Sequence, residues 1–458
     1  MSTPRSIDLL LEHAFVVTFD DDRTVHRDGA IAVHDGAIVA IGDTADLRAR
    51  FSPAARRDLQ GRIVMPGLVD AHLHTAQTMM RGLISTLRRS RALRVPTWRE
   101  YLVPFEAALS EDDVELSGLL AYSAMLATGT TTFFEAGGPH PEAMARAAWR
   151  TGIRGSVSVS TMDGGGRIPG SMQQTTERSL QQNIDVVEAL PSAADGSIRV
   201  TGGMSLRQII ACSTPLVVDV HREARERGVK VHTHLVEGTY EIDYALENFG
   251  HRPVEYLESI GVFTPALHGA HSVLVGDEDI TAFARAGVSA AHCAKGNFGI
   301  GPAPAVRMWR RGVDIGLGTD GVASLGTLDL FRVAMIARVG QQLVEGVHRH
   351  NRNEIDPAEP LEMAVRGGAQ AMGLGAVIGS LETGKRADLV VISMDSPDAA
   401  GYDSEESFLY ECASGRDVVE VYVEGAQVVS DGRVTTVDAA DISARARRRQ
   451  RELADVIA

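Results

Sequence analysis

Pro66-Gly67-Leu68-Val69-Asp70-Ala71-His72-Leu73-His74 sets off an apolar run with Pro-Gly and ends it in two histidines one residue apart. Side chains two residues apart in a strand project to the same face, so a strand here presents the His72 and His74 imidazoles together at its end. Neutral imidazole nitrogens are ready ligands for a borderline divalent ion such as zinc. Alone, His-x-His is also met as a packing or surface pair, so the surrounding chain has to decide.

Downstream, short apolar strands alternate with helical stretches. Residues 130–134, 155–160, 198–201, 229–234, 266–271, 288–292 and 313–319 read as strands, and 142–149, 216–227, 277–286 and 303–310 as helices. Such alternation over about three hundred residues predicts an α/β fold with a closed parallel barrel rather than an open sheet. The polar, metal-capable residues fall at the C-terminal ends of these strands, where barrels of this kind carry their active sites.

Both ends of the chain are different in kind. Phe15 to Phe19, Ala30 to His34 and Ala37 to Gly42 are β-rich, and the last two, joined by Asp35-Gly36, read as a hairpin. Ala387 to Ile392, Val418 to Val423 and Val428-Val429 match that style near the other end. A small β-domain assembled from both termini is therefore expected, with residues 1–63 and 376–458 in it and residues 64–375 in the barrel.

The 458-residue chain is long enough for two such units, and 44% hydrophobic with 23% charged residues suits a folded, soluble enzyme. A net charge of −15 excludes a general nucleic-acid binder, since phosphates would be repelled. The expected partner is a small molecule. Three cysteines without a C-x-x-C exclude a cysteine-built zinc site. No run reaches membrane-span length, and the first residues lack a signal-peptide pattern, so a cytoplasmic, non-membrane protein is expected.

Three further strand ends complete a constellation. Val231-His232-Thr233-His234-Leu235-Val236-Glu237 delivers His234 with Glu237 three residues on. Hydrolytic deamination needs a group that takes a proton from water and gives one to a ring nitrogen, and Glu237 is placed for that work. His234 is preferred to His232 as the ligand for its His-x-x-Glu spacing, which leaves His232 as a buried partner. Ala270-His271 and Thr319-Asp320-Gly321 end two later strands. Each has a bland reading, a loop cap and an ordinary turn.

Taken together, PGLVDAHLH with Arg81-Gly82, ATGTTTF, HTHLVEG, AHSV, GTDGVAS, GAQAMGL and GKRADLV span nearly the whole chain. In this order they resemble the amidohydrolase superfamily, in the branch of adenosine-like, S-adenosylhomocysteine, guanine and 8-oxoguanine deaminases and triazine chlorohydrolases. The resemblance implies a (β/α)8 barrel of TIM type beside a small β-sandwich. It implies metal ligands His72, His74, His234 and Asp320, Glu237 as proton shuttle, His271 as the group that polarises the attacking water, and Asp320 as a possible acceptor of its proton. Two-metal branches carry a bridging lysine on the fourth strand. The chain's only lysines are Lys230, Lys295 and Lys385, so one divalent ion is expected, zinc ahead of iron.

The expected activity is deamination of a purine, nucleoside, pterin or triazine type of amino-heterocycle with release of ammonia, by a homo-oligomer. Triazine dehalogenation or dealkylation and cyclic-amide hydrolysis share most of the site and are the alternatives. A non-catalytic scaffold is disfavoured because every ligand position is filled.

For the substrate, Pro104-x-Glu106 matches a motif that in the nucleoside-type relatives brings a glutamate to the ribose hydroxyls. A solvated helix-start carboxylate is the other reading of Glu106. Met204-Ser205 stands where a His-Ser pair is usual, Gly296-Asn297 beside Lys295 where Ser-Asn is usual, and Leu325 in place of an asparagine. Met204, Lys295 and Asn297 thus join Glu106 as candidate substrate contacts. The loss of polar partners predicts weak turnover of adenosine and S-adenosylhomocysteine and better turnover of a modified amino-heterocycle, with Lys295 meeting a carbonyl or acidic substituent.

Overall fold

The computed structural model describes residues 4–192, 196–323 and 326–457. Leu325, expected near the site, lies outside the described residues. Two parallel sheets form the centre. Leu68–Leu73, Thr130–Glu135, Arg154–Val157 and Val200–Gly202 pair in that order, and Met204–Leu206, Val231–Leu235, Leu267–His271, Ser289–His292 and Ile315–Leu317 pair in the other. Only Gly203 separates Val200–Gly202 from Met204–Leu206, so the two sheets are joined through one broken strand. At the other seam the first and last strands meet through a single parallel bridge, Leu73 to Asp320, and Asp320 N–H donates to the His72 carbonyl at 2.9 Å. Helices such as Pro141–Thr151, Thr214–Arg227 and Asp277–Ala286 follow their strands as the alternation predicts.

Several strand residues that point into the ring are unusual for a core. Ala71, Ala270 and Ala291 make a small cluster of their own, and buried His232 and His268 share the interior with them. His268 is satisfied there, bonding the Ala71 carbonyl and the Ser289 hydroxyl at 3.0 Å each. Small side chains at these positions leave room for imidazoles, which is how the barrel can be packed and still present nitrogens at one end.

The two chain ends do pair. Ile63–Pro66 lies antiparallel to Leu389–Ile392, with Met65 opposite Val390. Hydrogen bonding draws the β-domain as one nine-stranded mixed sheet in which the long first strand, Arg5–Val17, bends at two irregularities. The hairpin is where the sequence places it: Asp35 (φ 50°) and Gly36 (φ 73°) both take positive φ, the backbone of a two-residue turn that suits twisted strands. The arginine-rich helix Ala439–Leu453 is tied to the barrel: Arg449 grips Asp113 through two hydrogen bonds of 2.7 and 3.0 Å.

Candidate active site

His72 and His74 sit at the end of the first barrel strand, and His234 at the end of the fifth. Their ligand nitrogens lie within 4.8 Å of one another. His72 Nε2 is 3.3 Å and His74 Nε2 3.6 Å from Asp320 Oδ1. The remaining ring nitrogens fix the tautomers. His234 Nδ1 donates to the Arg207 carbonyl at 2.7 Å, which leaves Nε2 as a bare lone pair. His72 Nδ1 shares a hydrogen with His232 Nε2 at 2.8 Å, so His232 is the buried partner its position suggests. Burial lowers the pKa of all three, and for His74 and His234 the Arg207 guanidinium adds to it. They are neutral imidazoles, the form that binds metal.

A buried His72 Nε2 without a hydrogen bond, set among other lone pairs and a carboxylate, is a donor set that fits a divalent cation. His72, His271 and Cys293 form a second close group. Burial there pushes the Cys293 thiol well above its usual pKa, which disfavours the thiolate a metal needs.

Asp70, quoted in the opening motif but given no role there, holds the site's frame. It is fully buried and accepts hydrogen bonds from the Thr319 backbone and hydroxyl and from His72 N–H, which lock the first strand to the loop that carries Asp320. Burial raises its pKa to about 7. Val236, His271 and Asp320 have φ of 49°, 72° and 58°. Non-glycine residues held there cost about 1–3 kcal/mol each and concentrate at functional sites. Here that backbone turns the strand ends so that their side chains converge.

A cavity of about 50 Å³ is bordered by His74, His234, Glu237, His271 and Asp320, together with Trp98, Leu102, Arg207 and Gln208. Glu237 is half-buried and accepts a 2.7 Å hydrogen bond from Tyr240. His271 Nδ1 donates to Asn297 Oδ1 at 3.0 Å, which leaves its Nε2 free. A larger cavity, about 1000 Å³, lies beside Arg154, Arg199 and Lys230 at the opposite ends of the strands. None of the ligand candidates borders it.

The substrate contacts expected from the sequence need correction. Asn297 does not border the small cavity: its amide also donates to the His271 carbonyl and pairs with His292, so every polar atom is spent on positioning histidines. Met204 is fully buried in the apolar core with Leu216 and Val231. The fourth strand runs on past the Met204-Ser205 pair to Leu206, so Arg207 is the residue at its tip, level with His234. The site has therefore gained a cation where a loss of polarity was expected. Lys295, half-buried on the short helix Ala294–Asn297, is not among the cavity's lining residues. Glu106 is 1% exposed, which rules out the solvated reading. Arg207 and Gln208 were legible only as the first polar pair after an apolar strand, and Trp98 carried no signal at all.

Comparison with known proteins agrees with this site. Residues 63–428 match the amidohydrolase family, and residues 29–51 match an imidazolonepropionase-like composite domain of bacteria. The chain is 32% identical to a 5'-deoxyadenosine deaminase of Methanosarcina mazei over 97% of its length and 98% of the relative's. It is 32% identical to a 5-methylthioadenosine/S-adenosylhomocysteine deaminase of Nitratidesulfovibrio vulgaris, covering 96% of each. A zinc-bound adenosine deaminase from Xanthomonas campestris superposes with a TM-score of 0.89 at 27% identity, covering 98% of this chain and 99% of that one. With its barrel, its histidine cluster and this match over most of its length, the chain belongs to the amidohydrolase family.

Proposed function

We propose that the protein is a single-metal hydrolytic deaminase that replaces the exocyclic amino group of a nitrogen heterocycle with oxygen and releases ammonia. One observation carries the reading: His74, His234 and Asp320 border one small cavity with Glu237 and His271, and the buried His72 closes the cluster behind them. The names of the relatives, adenosine-type deaminases, support the reaction class.

His72, His74, His234 and Asp320 would hold the ion, with zinc favoured by the zinc-bound neighbour. When bound, it supplies the Lewis acidity that activates water at neutral pH. Glu237, oriented by Tyr240, takes one proton from the water and passes it to the ring nitrogen, while the second proton of the water, taken up by Asp320, goes to the amino group, which leaves as ammonia. His271, oriented by Asn297, offers its free Nε2 to the attacking water. A single ion is supported by the fourth strand, which holds no lysine, while Lys230 is engaged by the Pro265 carbonyl and Ser289.

The catalytic unit is taken as residues 64–375 beside a β-domain of 1–63 and 376–458, a division supported by the sheet strands lying between Arg5 and Asp58 and between Leu389 and Val434, with Ile63–Pro66 running across its first boundary. No helix of the described residues is long and apolar enough to cross a membrane. A homo-oligomer is supported by Met335, Val339, Leu343 and Val347, an exposed apolar row at four-residue spacing, and light scattering checks it. The decisive test of the activity is ammonia release by the zinc-loaded protein from 5'-deoxyadenosine, methylthioadenosine, guanine, pterins and aminotriazines. Release from none of them would sink the deaminase reading.

A further inference from the structure

Buried polar side-chain atoms without partners are uncommon in folded proteins, and those in a reactive site ask for an explanation. Arg207 Nη1, Glu106 Oε2 and Trp98 Nε1 are three such atoms at one wall of the site. Arg207 is 4% exposed, and its Nη1 faces Glu106 Oε2 at 3.9 Å, too far for a hydrogen bond. The rest of each group is held. Glu106 Oε1 accepts from Gln77 at 2.7 Å, and the Arg207 guanidinium lies 5.3 Å from the Trp98 ring centroid. A buried donor and a buried acceptor of opposite charge are thus kept apart by about the width of one bridging group, at a cost that direct pairing would remove.

We propose that this gap reads the edge of the substrate's heterocycle, and that the ring carries an oxo group next to a ring N–H as well as the amino group that is lost. The inference rests on the deaminase reading above and narrows it. Arg207 borders the same small cavity as His74, Glu237 and Asp320, so it reaches the ring that is hydrolysed. Its own carbonyl positions His234, which puts reader and ligand in one layer of the barrel. Glu106 stands behind Arg207 and also borders a separate cavity of about 330 Å³, and a ligand edge meets its free oxygen only where it enters the gap beside Nη1. A lactam edge is the complement of the pair: its C=O accepts from Nη1 and its N–H donates to Oε2. A glycosylated adenine has no ring N–H and no oxo group. It would leave both atoms unmet unless a sugar diol filled the gap, which is the rival occupant.

The test uses the zinc-loaded full chain. Guanine, 8-oxoguanine, cytosine and isocytosine should exceed adenosine and 5'-deoxyadenosine in kcat/KM by about 100-fold or more. Xanthine, which presents the lactam edge and has no amino group to lose, should bind in calorimetry, and Arg207→Met should weaken it by about 100-fold with zinc content unchanged. Arg207→Lys should recover part of that loss. If Arg207→Met does not fold, the unaltered protein carries the test, since unsubstituted purine and ring-N-methylated xanthines should bind far more weakly than xanthine. Equal binding of those ligands, or xanthine binding by Arg207→Met within about threefold of the parent, overturns the inference. Ammonia from adenosine-type substrates but not from the oxo bases overturns it in favour of the diol and leaves the deaminase reading intact. If no substrate releases ammonia, that reading fails, and the xanthine measurements still decide the role of Arg207.

Discussion

The Nε2 atoms of His74 and His234 stand 3.0 Å apart, nitrogen to nitrogen, in two stacked and buried rings. His234 has already given its proton to the Arg207 carbonyl, so its Nε2 faces His74 as a lone pair. Nitrogens at that distance, with Asp320 Oδ1 3.6 Å from one of them, are arranged for a cation between them. Purified protein should contain about one equivalent of transition metal per chain. Chelation should abolish ammonia release and lower the thermal midpoint, and zinc should restore both. Two tightly held equivalents by elemental analysis would contradict the single-ion site. Asp320→Asn should retain less metal and lose turnover together.

Glu237→Gln tests the proton shuttle. The amide keeps the size of the side chain and can still meet Tyr240, but it cannot carry a proton. Turnover should fall by about 100-fold or more with metal content unchanged. Activity within a few-fold of the parent would remove Glu237 from the mechanism.

Asn297→Ala tests a positioning role that only the structure suggests. Without the Oδ1 acceptor, His271 loses the bond that sets its tautomer and ring orientation. Turnover should drop by about 10–100-fold, the range for losing a group that orients an active-site histidine, while metal content stays the same. His271→Asn in the same assay should be at least as damaging. An Asn297→Ala enzyme with parental kcat would show that His271 needs no such support.

Arg154→Met should test the joint between barrel and β-domain. Arg154 is 2% exposed, starts the third barrel strand and donates to Asp388 at 2.8 Å, to Glu424 at 3.2 Å and to the Gly196 carbonyl at 2.9 Å. Removing the guanidinium leaves the buried Asp388 carboxylate without its cation, a loss of about 3–5 kcal/mol. The urea midpoint should fall clearly, with the kinetics of the surviving folded enzyme little changed. An unshifted midpoint would mean that the pair only breaks even against a packed methionine.

Much of this protein is local and so can be read in one dimension. Strand periodicity put His72 and His74 on one face, Asp35-Gly36 named its own turn, and the alternation of strands and helices implied the barrel, because each of these depends on residues a few positions apart. That the two chain ends share one β-domain was expected from style alone; which strands meet, Ile63–Pro66 with Leu389–Ile392, needed the fold. The substrate wall was not legible. Whether Met204 or Arg207 ends the fourth strand turns on a break at Gly203 and on registry with Val231–Leu235, neither of which a local pattern encodes. Nor could spacing reveal that Glu106 and Arg207, about a hundred residues apart, would be buried 3.9 Å from each other with one atom unmet on each. The candidate ligands were named from residue type, strand position and the family resemblance, whereas the partners of those residues were decided by which strand ends the packing brought face to face.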